Sequence, residues 1–61
     1  MKPRDKAIQA LNEGGYFLER HGKKHDQYYN PTLRCTIPLK RHDFDEDDLR
    51  YIMKEIKQNG R

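Results

Sequence analysis

A single cysteine, Cys35, leaves the chain unable to form an internal disulfide framework. No apolar run approaches the roughly 18 residues of a membrane span. Met1-Lys2-Pro3-Arg4-Asp5 leads directly into a mixed-charge helix rather than a secretory leader, so the expected compartment is the cytoplasm. There is no internal repeat and no low-complexity linker. There is also little length: 61 residues make one domain, and a chain of that size buries only about 60% of its unfolded surface. Every apolar side chain in a regular element is therefore needed for the core. An enclosed substrate cavity does not fit, so function belongs on an open face or in a shallow groove.

Metal signatures are missing too. His21, His25, Cys35 and His42 offer four possible ligands, but no close cysteine pair is present. His21 and His25 fall in a turn and a strand rather than on one helix face, so no structural zinc is expected. The acidic run 43–48 lacks the spacing and central glycine of a calcium loop. No cofactor is expected.

Charge is abundant and uneven. The chain is 38% charged and carries a net +3. Residues 1–42 hold nine Lys/Arg against four Asp/Glu and all three histidines, whereas residues 43–61 hold six acids against four bases. A basic region with titratable side chains suits a phosphate-bearing partner. Ordinary solubilising surface charge accounts for the same numbers.

The elements are well punctuated. Residues 3–13 read as a helix, with Pro3 at the first turn, Ala7, Ile8 and Leu11 on one face, and Gly14 or Gly15 as the stop. Residues 16–20 read as a strand, residues 21–24 as a turn containing Gly22, and residues 25–30 as a second strand. Asn30-Pro31-Thr32 makes the next turn, and residues 34–37 a third strand stopped by Pro38. Residues 45–58 form the second helix: Asp45 caps it, Asp47 and Asp48 sit in its first turn, and Phe44 and Leu49 have the spacing of a hydrophobic staple. Leu49, Ile52, Met53 and Ile56 mark its apolar face. The order is α-β-β-β-α. The expected fold is α+β, a three-stranded antiparallel sheet with both helices on one face and the other face open to water.

Strand alternation assigns the faces. Tyr28, with Asp26 and Asn30, points toward the helices, as do Cys35 and Ile37. The open face then displays His25, Gln27, Tyr29, Arg34 and Thr36, beside Lys23 and Lys24 in the turn. An imidazole is the side chain suited to give or take a proton near neutral pH, and His25 brings one to this face. RNA cleavage without metal needs a base for the 2′-hydroxyl, an acid for the leaving 5′-oxygen, and cations for the charge that builds up between them. Arg20, Lys23, Lys24, Arg34, Lys40 and Arg41 are candidates for the last role. A lone polar strand histidine also explains His25 on spacing alone. Tyr29 is placed either to stack on an unpaired base or to pack as an ordinary strand aromatic. His21 and His42 extend the basic surface, and Cys35 reads as a packing residue rather than a nucleophile.

An ordered set of short pieces carries a further signal: Gly15-Tyr16, Arg20, Lys23-Lys24-His25-Asp26, Tyr28, Asn30-Pro31, Thr36-Ile37-Pro38, and Leu49-Arg50-Tyr51-Ile52-Met53-Lys54. With them, nearly the whole chain resembles the HicA family of toxins, small mRNA-cleaving ribonucleases of toxin–antitoxin pairs. The resemblance implies a fold like that of a double-stranded-RNA-binding domain. It maps the family's catalytic histidine onto His25, and it implies a HicB-type antitoxin as partner, one that covers the active surface and often binds operator DNA. Lys23-Lys24 stands where the family has Gly-Ser, with Gly22 one place early, and a later family histidine is displaced here to His42. The expected activity is that of a metal-independent endoribonuclease acting on mRNA. The alternatives are a non-catalytic RNA-binding module of the same fold, and a basic domain that docks an acidic protein.

Overall fold

Pro3 opens the first helix at the position where a missing N–H costs no hydrogen bond. In the computed structural model, which describes residues 1–60, that helix is α1 (Pro3–Glu13). It is followed by β1 (Phe17–His21), β2 (His25–Asn30), β3 (Cys35–Lys40) and α2 (Glu46–Asn59). The order is helix, three antiparallel strands in one open sheet, helix: the α+β fold that the sequence predicts.

The α1–β1 corner is tight. The N–H of Gly14 donates to the carbonyls of Ala10 and Leu11 at 3.0 and 3.1 Å, and Gly15 turns the chain at φ +91°, a left-handed conformation that favours glycine. The corner delivers Tyr16, whose amide donates to the Leu11 carbonyl at 2.8 Å, into the centre of the core. Tyr16 is therefore not the first residue of the strand. The strand expected over 16–20 starts at Phe17 and ends at His21, so His21 is a strand residue and not part of the turn.

The sheet order is β1-β2-β3. Burial along β2 alternates residue by residue, with Asp26, Tyr28 and Asn30 buried and His25, Gln27 and Tyr29 partly exposed. The face assignment made from Tyr28 is the one observed. In β3, Ile37 and Leu39 are buried. Pro38 does not stop this strand: it stands opposite Gln27, and pairing continues to Lys40 opposite His25. β3 lies at the edge of the sheet, where ladder partners are needed on one side only, so a residue without an N–H is accommodated. The extension adds fully buried Leu39 to the core. Arg34, in contrast, lies outside β3, at φ 56° in the preceding turn.

The core joins Ala7 and Leu11 of α1, Tyr16, Tyr28 of β2, Ile37 and Leu39 of β3, and Ile52 of α2. Ile8, Cys35, Phe44, Leu49 and Ile56 pack around it. All five residues of β1 are exposed, so the helices shield β2 and β3 and leave β1 in water on both faces. α2 begins as expected, with Asp45 and Asp48 closing a reciprocal capping box at 3.0 and 3.1 Å. The Asp45 backbone N–H, followed by the nearby Lys40 ammonium, holds the Asp48 carboxyl below the usual carboxylate range. Met53, expected on the buried face of α2, is 50% exposed. The buried line runs along Leu49, Ile52 and Ile56, and Met53 lies on its flank.

Candidate nucleic-acid interface

Three rows of side chains cross the open face, as the strand register defines them. Phe17, Tyr29 and Thr36 form one row, and Arg20, Gln27 and Pro38 the next. His25 and Lys40 pair at the end nearest the β1–β2 turn. β1 carries a bulge between Leu18 and Arg20.

His25 opens β2 immediately after the turn. Its backbone carbonyl accepts the Gly22 N–H at 2.8 Å, while its ring makes no hydrogen bond among the described residues. Gly22 is required by that closeness: a Cβ at this position would lie 2.7 Å from the His25 carbonyl oxygen. The turn therefore presses against His25 and carries Lys23 and Lys24 beside it. Arg41 straps the turn from outside. Its backbone N–H donates to the Lys24 carbonyl at 3.2 Å, and its guanidinium donates to the carbonyls of Gly22 and Lys23.

The candidate cations thus divide into groups. Lys23, Lys24 and Arg20 are exposed and form no ion pair among the described residues. Arg41 is engaged by the turn, and the Lys40 ammonium lies 3.1 Å from the Asp48 carboxylate. Arg34 lies in the turn that precedes β3, whose first residue pairs with Asn30. The five residue steps of β2 between Asn30 and His25 span about 17 Å, so Arg34 and His25 stand at opposite ends of the sheet. Tyr29 lies four steps from His25, about 13 Å along the strand. The structure brings His25, Lys23, Lys24, Gln27 and Arg20 together, sets Tyr29 farther along the same face, and places Arg34 apart.

On the other side of the same strand end lies a cluster the sequence reading missed. Asp26 is 5% exposed. Arg4 Nη2 donates to its Oδ2 at 2.7 Å, and His21 Nδ1 lies 2.8 Å from its Oδ1. Arg41 Nη1 lies 3.6 Å from the same oxygen. Burial alone would push the Asp26 carboxyl up. The hydrogen bond and charge of His21, and then those of Arg4, outweigh it, and the carboxyl lies below its ordinary range. Arg4 and Arg41 are distant in sequence, but one signal was present: alternation already turned Asp26 inward, and an inward carboxylate demands cations. His21, His25, Cys35 and His42 do not gather. No three His, Cys, Asp or Glu side chains form a metal-binding group among the described residues.

Phe17 is the second residue that the sequence reading left unassigned. It is 57% exposed and directly opposite Tyr29. Its face follows from the burial of Tyr16 one position earlier, once the strand start is known.

No helix of the structure is long and apolar enough to cross a membrane. No family model, curated protein or solved structure matches the chain.

Proposed function

We propose that the protein is a metal-independent endoribonuclease that cleaves mRNA, with His25 transferring the proton at the reacting phosphodiester. The observation that carries this reading is the setting of His25. Its ring is partly exposed on an open sheet face, makes no hydrogen bond among the described residues, and is bordered by Arg20, Lys23 and Lys24, which form no ion pair among those residues.

In this reading the 2′-hydroxyl of the RNA loses its proton, and the 2′-oxygen attacks the adjacent phosphorus. The bond from phosphorus to the 5′-oxygen breaks, and that oxygen leaves protonated. The products are a 2′,3′-cyclic phosphate and a 5′-hydroxyl. His25 exchanges a proton with one of the two oxygens, and solvent water exchanges the proton at the other. Lys23, Lys24 and Arg20 offset the negative charge that builds up on the phosphoryl oxygens. Gln27 donates to or accepts from the sugar and base edges. Lys40 and Arg41 contribute positive potential rather than direct contacts, because their side chains are held by Asp48 and by the turn.

The resemblance of the ordered motifs to HicA toxins supports the same assignment and extends it to a partner. A HicB-type antitoxin would neutralise the activity by covering the face that carries His25. The test is cleavage of a labelled mRNA by the wild-type protein and by His25→Ala at matched concentration. Cleavage by the first and none by the second is expected; equal cleavage by both overturns the role of His25.

A further inference from the structure

Two aromatic side chains on the open face are left out of the core. Phe17 and Tyr29 stand directly across from one another on β1 and β2. Phe17 is 57% exposed, although burying a ring of that size is among the most stabilising contributions a small chain can make. The bulge in β1 adds an independent observation. Phe17 and Arg20 are three positions apart, so in a regular strand they would point to opposite faces. The bulge between Leu18 and Arg20 inserts one residue and resets the alternation. Arg20 consequently pairs with Gln27 and Phe17 with Tyr29, and both project on the face that carries His25. The open face reads, in order along the sheet, as an aromatic pair, a guanidinium beside an amide, and an imidazole next to two ammonium groups.

That sequence of chemistries matches a single strand of RNA. A base with a free π-face stacks on aromatic rings, and its phosphates pair with the cations that follow. An RNA duplex offers phosphates and 2′-hydroxyls to a flat surface, but its bases are already stacked on each other and have no free face to give. An acidic protein would satisfy Arg20, Lys23 and Lys24 but has no comparable use for a paired, exposed Phe17 and Tyr29.

We infer that Phe17 and Tyr29 form a stacking subsite for an unpaired base of the RNA strand whose phosphodiester lies at His25, with Arg20 holding the backbone between them. The inference rests on the ribonuclease reading and names its substrate as unpaired RNA. Phe17 and Tyr29 act by positioning and selecting the strand, and the proton transfer belongs to His25.

The test uses the full chain carrying His25→Ala, so that RNA stays intact, and a short oligoribonucleotide without self-pairing, alone or annealed to its complement. Binding is read by fluorescence anisotropy at fixed salt. Single strands should bind more tightly than the duplex. Phe17→Ala should weaken single-strand binding roughly tenfold, in line with the loss of one stacked base. Phe17→Tyr should restore it, and Phe17→Leu, apolar but without a ring, should not. Phe17 is exposed, so all three variants should retain the wild-type melting profile. Scanning an abasic site along the oligonucleotide should reveal one position at which Phe17→Ala has no further effect.

Equal binding by Phe17→Ala, wild-type affinity of Phe17→Leu, or duplex binding as tight as single-strand binding overturns the subsite. Cleavage by the otherwise wild-type protein separates the two claims. RNA cut normally by Phe17→Ala, with unchanged affinity, leaves the ribonuclease reading standing without the subsite. Ring-dependent binding with no cleavage leaves the subsite standing on a binding module. No RNA binding at all overturns both.

Discussion

At the scale of the residue, Asp26 carries the largest electrostatic load in the molecule. It is a nearly buried carboxylate with Arg4, His21 and Arg41 gathered around it. Removing it by Asp26→Ala should cost roughly 2–4 kcal/mol in chemical denaturation, below the full value for a buried pair because the cationic partners are partly exposed. The pH dependence has a definite sign. The folded-state pKa of Asp26 lies below its ordinary 3.8, so the stabilisation is complete above about pH 4 and is lost as pH falls through the folded-state value. Thermal melts taken from neutral pH down to about pH 2 should show an acid-induced loss in the wild type that is smaller in Asp26→Asn. An unchanged acid limb would mean that the cluster contributes nothing to folding. His25 is the opposite case. Its ring makes no hydrogen bond or ion pair among the described residues, so His25→Ala should leave stability within about 0.5 kcal/mol of wild type.

At the scale of the element, the β1–β2 turn decides how the candidate site is presented. Gly22 sits where any side chain would strike the His25 carbonyl, and Arg41, just after β3, ties the turn down. Gly22→Ala should therefore displace Lys23, Lys24 and His25 together. The expected result is a loss of about 1–3 kcal/mol in stability and reduced cleavage, read in parallel by melting and by RNA assay. A fall in stability with cleavage unchanged would show that turn geometry does not matter to activity.

The elements also show what sequence reasoning can reach. Both helices were legible because caps and apolar spacing agree, and the faces of β2 were legible because Tyr28 fixes the phase of the whole strand. Pro38 misled because its effect depends on whether a strand lies at an edge, which is a property of the sheet and not of the residue. The bulge in β1, which lies between Leu18 and Arg20, left no local mark, so the face of Arg20 could not be derived from alternation along the strand. Arg34 reads as a strand residue from sequence because nothing in its neighbours signals the left-handed conformation it adopts. The partners of Asp26 come from α1, β1 and the segment after β3, and only the closed fold brings them together.

At the scale of the whole molecule, three cations of the basic region, Arg20, Lys23 and Lys24, lie around one end of the open face without an ion pair among the described residues. In α2, Asp48 serves the cap and faces Lys40, and Asp47 pairs with Arg50. Single-strand binding should lose affinity with salt at a slope of about −0.7 per neutralised phosphate. Three contacts from Arg20, Lys23 and Lys24 give a slope near −2 in a log–log plot. The double variant Lys23→Ala with Lys24→Ala should reduce it to about −0.7. Arg34→Ala, at the far end of the sheet, should leave it unchanged. An equal drop for Arg34→Ala would mean that the RNA runs over the whole face rather than along the path from Phe17 to His25.

The most direct measurement is of the ends produced when purified wild-type protein and His25→Ala are incubated with the same RNA in the presence of a chelator. The wild type should generate new fragments ending in a 2′,3′-cyclic phosphate and beginning with a 5′-hydroxyl, and His25→Ala, folded to the same melting temperature, should generate none. Fragments of the same kind and at the same rate from His25→Ala would contradict the central assignment.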